Sequence, residues 1–214
     1  MKPFTPLPRI LAGTGHRQLI HRILRPDLPP DTQRIDLVTT SQRRVSIIDS
    51  GRTPENVVAE GDTAIHILWQ LSESGANIAV EGAEYPVAPG DTVMVPGGDS
   101  WRLSANTLAV VISVRSHRLA EPILPTHGTE CFHGYNRETR YPGTETIPLT
   151  RWKITQPLTL EAGESERILV SLYSDIAMQH ANGVGMLPVG TASVTRGGQI
   201  TLVPNGLSYV LVID

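Results

Sequence analysis

The chain has 214 residues and a formal net charge of −3, and it is rich in turn-forming residues, with 19 Gly and 17 Pro. This composition is typical of a turn-rich β protein and argues against a long-helix or disordered chain. The slightly acidic balance gives no electrostatic footprint for nucleic acid.

The single cysteine, Cys131, excludes an intramolecular disulfide framework and a zinc site built from several cysteines. No apolar run approaches the roughly 20 residues of a membrane-spanning helix. The first ten residues lack the apolar core of a signal peptide. We therefore expect a cytoplasmic protein that acts on neither nucleic acid nor a membrane.

In chain order, residues 1–60 are predicted to form an N-terminal extension that packs on the rest, with a short helical turn near 16–24. Periodicity and Gly/Pro turns then predict an all-β chain. A first barrel is expected over 61–118, a polar connection over 119–150 and a second barrel over 151–214. The predicted strands are residues 64–71, 77–80, 84–87, 92–95 and 108–114, then 168–172, 192–195, 200–203 and 209–213.

A repeat supports two equivalent halves. At an offset of 108 residues, the segment 90–101 shares Gly, Val, Pro, Gly and Ser with the segment 198–209, and Trp101 coincides with Tyr209. Matched Gly and Pro positions are informative because each reports a backbone requirement at a turn or strand end.

The pattern Gly-x5-Pro-x-Gly in both copies resembles the second sequence motif of the cupin superfamily. The resemblance implies two double-stranded β-helix (jelly-roll) barrels in tandem, a bicupin. The segment 151–160, which opens the second half, is loosely similar to class I mannose-6-phosphate isomerases and their relatives. That similarity implies a carbohydrate isomerase-like activity.

Metal-dependent cupins use two His and a Glu from a first motif and a further His from the second. Trp101 and Tyr209 stand where the resemblance places that further His. In one alignment with the first motif, His66 and Glu73 stand at ligand positions. In another alignment, no His stands at a ligand position. We therefore expect the usual metal site to be absent and no cofactor to be bound.

The segment 126–137 concentrates polar side chains. If it is extended, His127, Cys131 and His133 share one face and Glu130 lies on the other. A divalent metal could accept the first three as non-standard ligands. Alternatively, His133 could form an acid–base pair with Glu130 or with an acid elsewhere. The segment could also be a loop that hydrogen-bonds its own backbone.

Four residues are candidates for substrate binding. Trp101 and Tyr209 could either plug the barrels or offer flat surfaces to a ligand. Arg102 and Arg137 could each hold a phosphate or carboxylate, or be solvated.

The function favoured by these residues is a carbohydrate isomerase or epimerase that works without the usual metal. In it His66, His127, Glu130 and His133 would carry the acid–base chemistry on a sugar or sugar phosphate. The alternatives are a non-catalytic ligand-binding or sensing cupin, and a metalloenzyme with ligands from 127–133. A homodimer is also expected, because edge strands are often hidden by pairing between chains.

Overall fold

A computed structural model describes residues 34–50, 56–58, 65–71, 75–105, 107–115, 119, 121–141 and 148–214. These residues form twenty strands and no helix, which confirms the all-β prediction. The helical turn expected at 16–24 lies outside them. Within the described ranges, no helix has the length and hydrophobicity that crossing a membrane requires.

The first ten strands form two antiparallel sheets that we call the first sandwich. Its six-stranded sheet has the order β1-β2-β9-β4-β7-β10, and its four-stranded sheet has the order β3-β8-β5-β6. The strands are β1 Arg34–Thr39, β2 Arg43–Asp49, β3 Asn56–Val58, β4 Ile65–Gln70, β5 Ala76–Val80, β6 Ala83–Val87, β7 Thr92–Val95, β8 Ser100–Leu103, β9 Leu108–Val114 and β10 Ile123–Thr126.

The remaining ten strands form the second sandwich in the same way. Its sheets have the orders β11-β12-β13-β20-β15-β18 and β14-β19-β16-β17. The strands are β11 Thr129–His133, β12 Asn136–Arg140, β13 Leu149–Ile154, β14 Leu158–Leu160, β15 Glu166–Ser171, β16 Ile176–His180, β17 Gly183–Leu187, β18 Ala192–Arg196, β19 Ile200–Pro204 and β20 Ser208–Ile213. Two sandwiches in chain order are what the predicted tandem barrels require.

Three apolar clusters hold these sheets together. One fills the first sandwich and contains Trp101, and a second fills the second sandwich and contains Trp152. The third lies between the two six-stranded sheets and includes Ile67, Trp69 and Leu211. Since side chains alternate across a strand, each six-stranded sheet supplies one face to its own sandwich and the other to the junction.

Sheet position corrects the register of the repeat. The 108-residue offset equates β7 with β19, but β7 lies in a six-stranded sheet and β19 in a four-stranded one. By their neighbours, β7 corresponds to β18, β8 to β19 and β9 to β20, which is an offset of about 100 residues. Trp101 and Tyr209 therefore do not occupy equivalent positions.

Several strands lie in segments that were predicted to be an extension or a connection. β1, β2 and β3 fall within 1–60, and all three belong to the sheets of the first sandwich. Within 119–150, β10 joins the first sandwich, whereas β11 and β12 join the second. The polar connection thus links the two sandwiches by supplying strands to both.

Candidate functional site

A cavity of about 390 Å³ lies where the two sandwiches meet. We call it the junction cavity. The first sandwich contributes the end of β4 and the turn before β7, and the second contributes β11, β12, β13, β20 and the turn after β15. Its lining residues are Trp69, Leu71, Pro89, Gly90, Glu130, Arg137, Thr139, Arg151, Lys153, Leu172, Tyr173, Leu207 and Tyr209.

Strand alternation explains why polar side chains reach this cavity. On β13, Arg151 and Lys153 face the cavity, whereas Trp152 and Ile154 point into the core of the second sandwich. The register aligns Lys153 with Arg137 on β12 and with Tyr209 on β20. One row of side chains across three strands therefore carries two cations and a phenol.

The cavity has an excess of positive charge. Arg137 donates from Nη1 to both carboxylate oxygens of Glu130, at 3.1 and 2.9 Å, and its guanidinium lies 5.1 Å from the ring centre of Phe132. In the described part of the chain, neither Arg151 nor Lys153 has a carboxylate within 4.0 Å. Three cations and one carboxylate leave a formal charge of +2.

The guanidinium of Arg151 contacts an aromatic ring and a hydroxyl group. Its guanidinium lies 5.5 Å from the ring centre of Trp69, and its Nη2 donates to Oγ1 of Thr139 at 3.3 Å. Burial raises the pKa of nearby Tyr141 to about 12, although the positive charge of Arg151 opposes the rise. Tyr141 is therefore neutral at physiological pH and cannot neutralise Arg151.

A pair of tyrosines, Tyr173 and Tyr209, forms part of the cavity wall. The rings of Tyr173 and Tyr209 meet edge to face, with centroids 5.9 Å apart and an interplanar angle of 78°. Both tyrosines line the cavity beside Leu172 and Leu207. The wall can therefore contact an apolar part of a ligand while the cations contact a charged part.

The structure brings together three of the predicted site residues, Glu130, Arg137 and Tyr209, in the junction cavity. Trp101 is only 2% exposed in the core of the first sandwich, so it fills space there. Arg102, the next residue on β8, is exposed on the outer face of its sheet and does not line the cavity.

His133 lies on the other face of β11 from Glu130, as the alternation predicted. Its Nε2 is 2.9 Å from Oε2 of Glu138, and its ring packs 5.1 Å from that of Trp152. Glu138 is buried and also accepts two hydrogen bonds from Arg140. The acid partner of His133 is therefore Glu138 and not Glu130.

The two remaining predicted catalytic residues are His127 and His66. His127 is largely exposed, and its Nδ1 contacts Oδ1 of Asp91, a buried carboxylate in the first sandwich. The backbone of His66 lies in β4 between Val95 and Ser113, and its side chain is outside the described part of the structure. His127, Glu130 and His133 thus have separate partners and do not form one acid–base set.

The proposed ligand set from 127–133 is divided in the same way. Cys131 and His133 share a face of β11, but His127 precedes the strand and contacts Asp91. Among the described residues, no group of three or more His, Cys, Asp or Glu side chains could hold a metal ion. Cys131 is partly exposed.

The sequence reasoning missed Trp69, Arg151 and Lys153. The segment 149–154 alternates apolar and polar residues, which predicts a half-buried strand and places Arg151 and Lys153 on one face. That signal could have paired the two cations, but it does not reveal which surface the face meets.

Comparisons with known proteins identify the fold. No family model and no curated protein matches the sequence. A cupin 2 conserved barrel domain protein from Leptotrichia buccalis superposes with a TM-score of 0.58 at 10% identity, over 89% of this chain and 92% of that one.

Two further solved structures agree. AerE from Microcystis aeruginosa gives a TM-score of 0.66 at 13% identity, over 87% of this chain and 94% of its own. Quercetin 2,3-dioxygenase from Acinetobacter baumannii gives a TM-score of 0.62 at 13% identity, over 83% of this chain and 69% of its own. At these identities the likeness shows the fold alone.

Proposed function

We propose that this chain, which has the cupin fold, binds a small anionic molecule in the junction cavity between its two sandwiches. The observation that carries the proposal is the pair of cations on β13, Arg151 and Lys153, which line the cavity without a carboxylate partner among the described residues. The volume lies within the range of small-molecule pockets. An anion would supply the missing counter-charge.

The interiors of the sandwiches are poor alternatives. The cluster inside the first sandwich is apolar and includes the indole of Trp101, and the cluster inside the second is apolar as well. Close-packed apolar side chains offer a ligand neither space nor charge. The binding function proposed for the junction cavity requires no metal and no cofactor.

A ligand-binding role is favoured over the isomerase role because the predicted acid–base residues are dispersed. Of the four, Glu130 alone is known to line the cavity, and its carboxylate is held by Arg137. His127 and His133 contact acids elsewhere. Among the described side chains, no histidine joins Glu130 in the cavity to complete an acid–base pair.

One observation keeps an isomerase or epimerase as the second candidate. Glu130 is a carboxylate inside a cavity that also holds Arg151 and Lys153, and these cations could stabilise an enolate-like charge. In this alternative Glu130 would move a proton beside the carbonyl of a sugar phosphate or keto acid.

The first experiment is a thermal-shift screen of sugar phosphates, keto acids and dicarboxylates against their uncharged counterparts, followed by calorimetry on the best binder. We expect anions alone to raise the melting temperature, because a bound ligand stabilises the fold by mass action. Arg151→Gln should weaken the binding by about tenfold or more, the usual effect of losing a charge-assisted hydrogen bond.

The matched control is Arg102→Gln, which removes an exposed Arg outside the cavity and should leave the affinity unchanged. Equal binding by wild type and Arg151→Gln, or stabilisation by uncharged sugars alone, would contradict the proposal. The isomerase is tested by incubating the best binder with the protein in D₂O. Deuterium incorporated beside the carbonyl by wild type, and abolished in Glu130→Gln, would favour that second candidate.

A further inference from the structure

We infer that the ligand of the junction cavity carries two anionic groups, one held by Arg151 and the other by Lys153, joined by an apolar spacer. This inference rests on the proposed function and specifies its ligand class. It follows from where the uncompensated charge lies, from the different surroundings of the two cations and from the apolar residues that line the same cavity.

The net charge of the cavity is localised on β13. The pair formed by Arg137 and Glu130 is neutral as a unit, since Nη1 of Arg137 contacts both carboxylate oxygens. The excess of +2 therefore resides on Arg151 and Lys153. One monoanion would leave half of that excess without a counter-charge in a partly enclosed site.

The two cations are spaced for separate groups. They are two residues apart on one face of a strand, so their Cα atoms lie roughly 7 Å from each other. The register places Arg151 opposite Thr139, and Lys153 opposite Arg137. Each cation thus lies in its own cross-strand row.

The surroundings of the two cations also differ. Arg151 contacts the first sandwich, where it lies close to Trp69 and to the turn at Gly90. Lys153 is flanked in register by Arg137 and Tyr209. The planar guanidinium of Arg151 is held by these contacts and suits a bidentate carboxylate or phosphate, whereas the ammonium of Lys153 acts as a flexible point charge.

The spacer is inferred from the remaining lining. Leu71, Leu172 and Leu207 contribute apolar surface to the cavity together with the tyrosine pair. A hydrocarbon or aromatic segment would remove this surface from water, which is favourable, whereas a heavily hydroxylated spacer would not. The class is therefore a dicarboxylate, or a phosphorylated acid, with an apolar middle.

Calorimetry at fixed ionic strength tests the inference with straight-chain dicarboxylates from malonate to pimelate, each compared with the monocarboxylate of the same carbon number. We expect one dicarboxylate length to bind about tenfold or more tightly than its monocarboxylate. In Arg151→Gln and in Lys153→Gln, taken singly, that advantage should fall to about twofold, which is the statistical factor for two equivalent ends. Arg102→Gln should retain the full advantage.

The outcomes separate the two proposals. If mono- and dicarboxylates bind alike, and Arg151→Gln weakens both equally while Lys153→Gln weakens neither, the dianion inference is overturned and anion binding stands. If no anion binds and neither variant changes the melting temperature in the presence of anions, the proposed function itself fails.

Discussion

At the scale of single residues, alternate positions of β13 serve two different surfaces. Arg151 and Lys153 reach the junction cavity, whereas Trp152 and Ile154 pack in the second core. Trp101 on β8 belongs with the latter kind, since it is buried among apolar neighbours. A large aromatic residue near a turn is thus no guide to a ligand site until its face is known.

Truncating Trp101 should therefore affect stability and not binding. We expect Trp101→Ala to lower the free energy of unfolding by about 3–5 kcal/mol, because it leaves a cavity in a packed core. Urea titration measures the loss, and Tyr135→Ala, which removes a 78% exposed ring, should change stability by less than about 0.5 kcal/mol. If Trp101→Ala does not fold, Trp101→Phe gives a smaller loss. Weaker anion binding by folded Trp101→Phe would contradict the core assignment.

Tyr141 makes the stability sensitive to alkaline pH. Burial raises its pKa from 10.0 to about 12 in the folded state. A group with a raised folded pKa contributes its full stabilisation below the unfolded pKa and loses it as the pH rises towards the folded value. Stability should therefore fall between pH 10 and about 12, by on the order of 2 kcal/mol from this residue.

The measurement is the difference in unfolding free energy between wild type and Tyr141→Phe from pH 8 to 12. The other tyrosines titrate in both proteins, so the difference isolates Tyr141. A difference that stays constant across this range would show that the phenol is not held in its neutral form.

At the scale of elements, the turn between β6 and β7 brings the first sandwich into contact with Arg151 of the second. Gly90 in this turn has φ +86°, and a Cβ at residue 90 would lie 2.8 Å from Nη1 of Arg151. Gly98, in the turn before β8, has a similar φ of +98° but open space around it. The two glycines thus share a backbone requirement and differ in what a side chain would touch.

This pair gives a matched test. Gly90→Ala and Gly98→Ala should each cost about 1–2 kcal/mol of stability, because an L-residue is strained at positive φ. Only Gly90→Ala should also weaken anion binding, since its Cβ would displace the guanidinium of Arg151. Equal affinities for the two variants would mean that the position of Arg151 does not depend on this turn.

Predictions from the sequence succeeded where the signal is local. Residues 92–95 and 108–114 were predicted as strands with the bounds of β7 and β9. These strands are apolar runs between turns, so a stretch of about ten residues contains the whole signal. The repeat register failed, because five identities favoured an offset of 108. The sheet equivalence, near 100, instead pairs Gly90 with Gly190 and Gly98 with Gly198, and all four glycines have positive φ.

The site was predicted only in part for the same reason. Glu130 and Arg137 lie in one hairpin, so the density of polar residues in that segment identified them. Arg151 and Lys153 form a site only because Trp69 and Gly90 approach them from the other sandwich. That approach depends on packing between the six-stranded sheets, and no local pattern reports it.

At the scale of the whole molecule, the two sandwiches share a buried interface that also builds the cavity. The central apolar cluster joins strands of both, and Arg43 on β2 donates to backbone oxygens of Glu166 and Asp214 at 3.0 and 2.8 Å. The ligand site is therefore a property of the pair, and neither sandwich contains it alone.

A crystal structure of the protein saturated with its tightest-binding dicarboxylate tests this claim most directly. We expect difference density in the junction cavity, with one carboxylate on the guanidinium of Arg151 and the other on the ammonium of Lys153. Density inside either sandwich, or an empty junction cavity at a concentration that saturates binding in solution, would contradict the account.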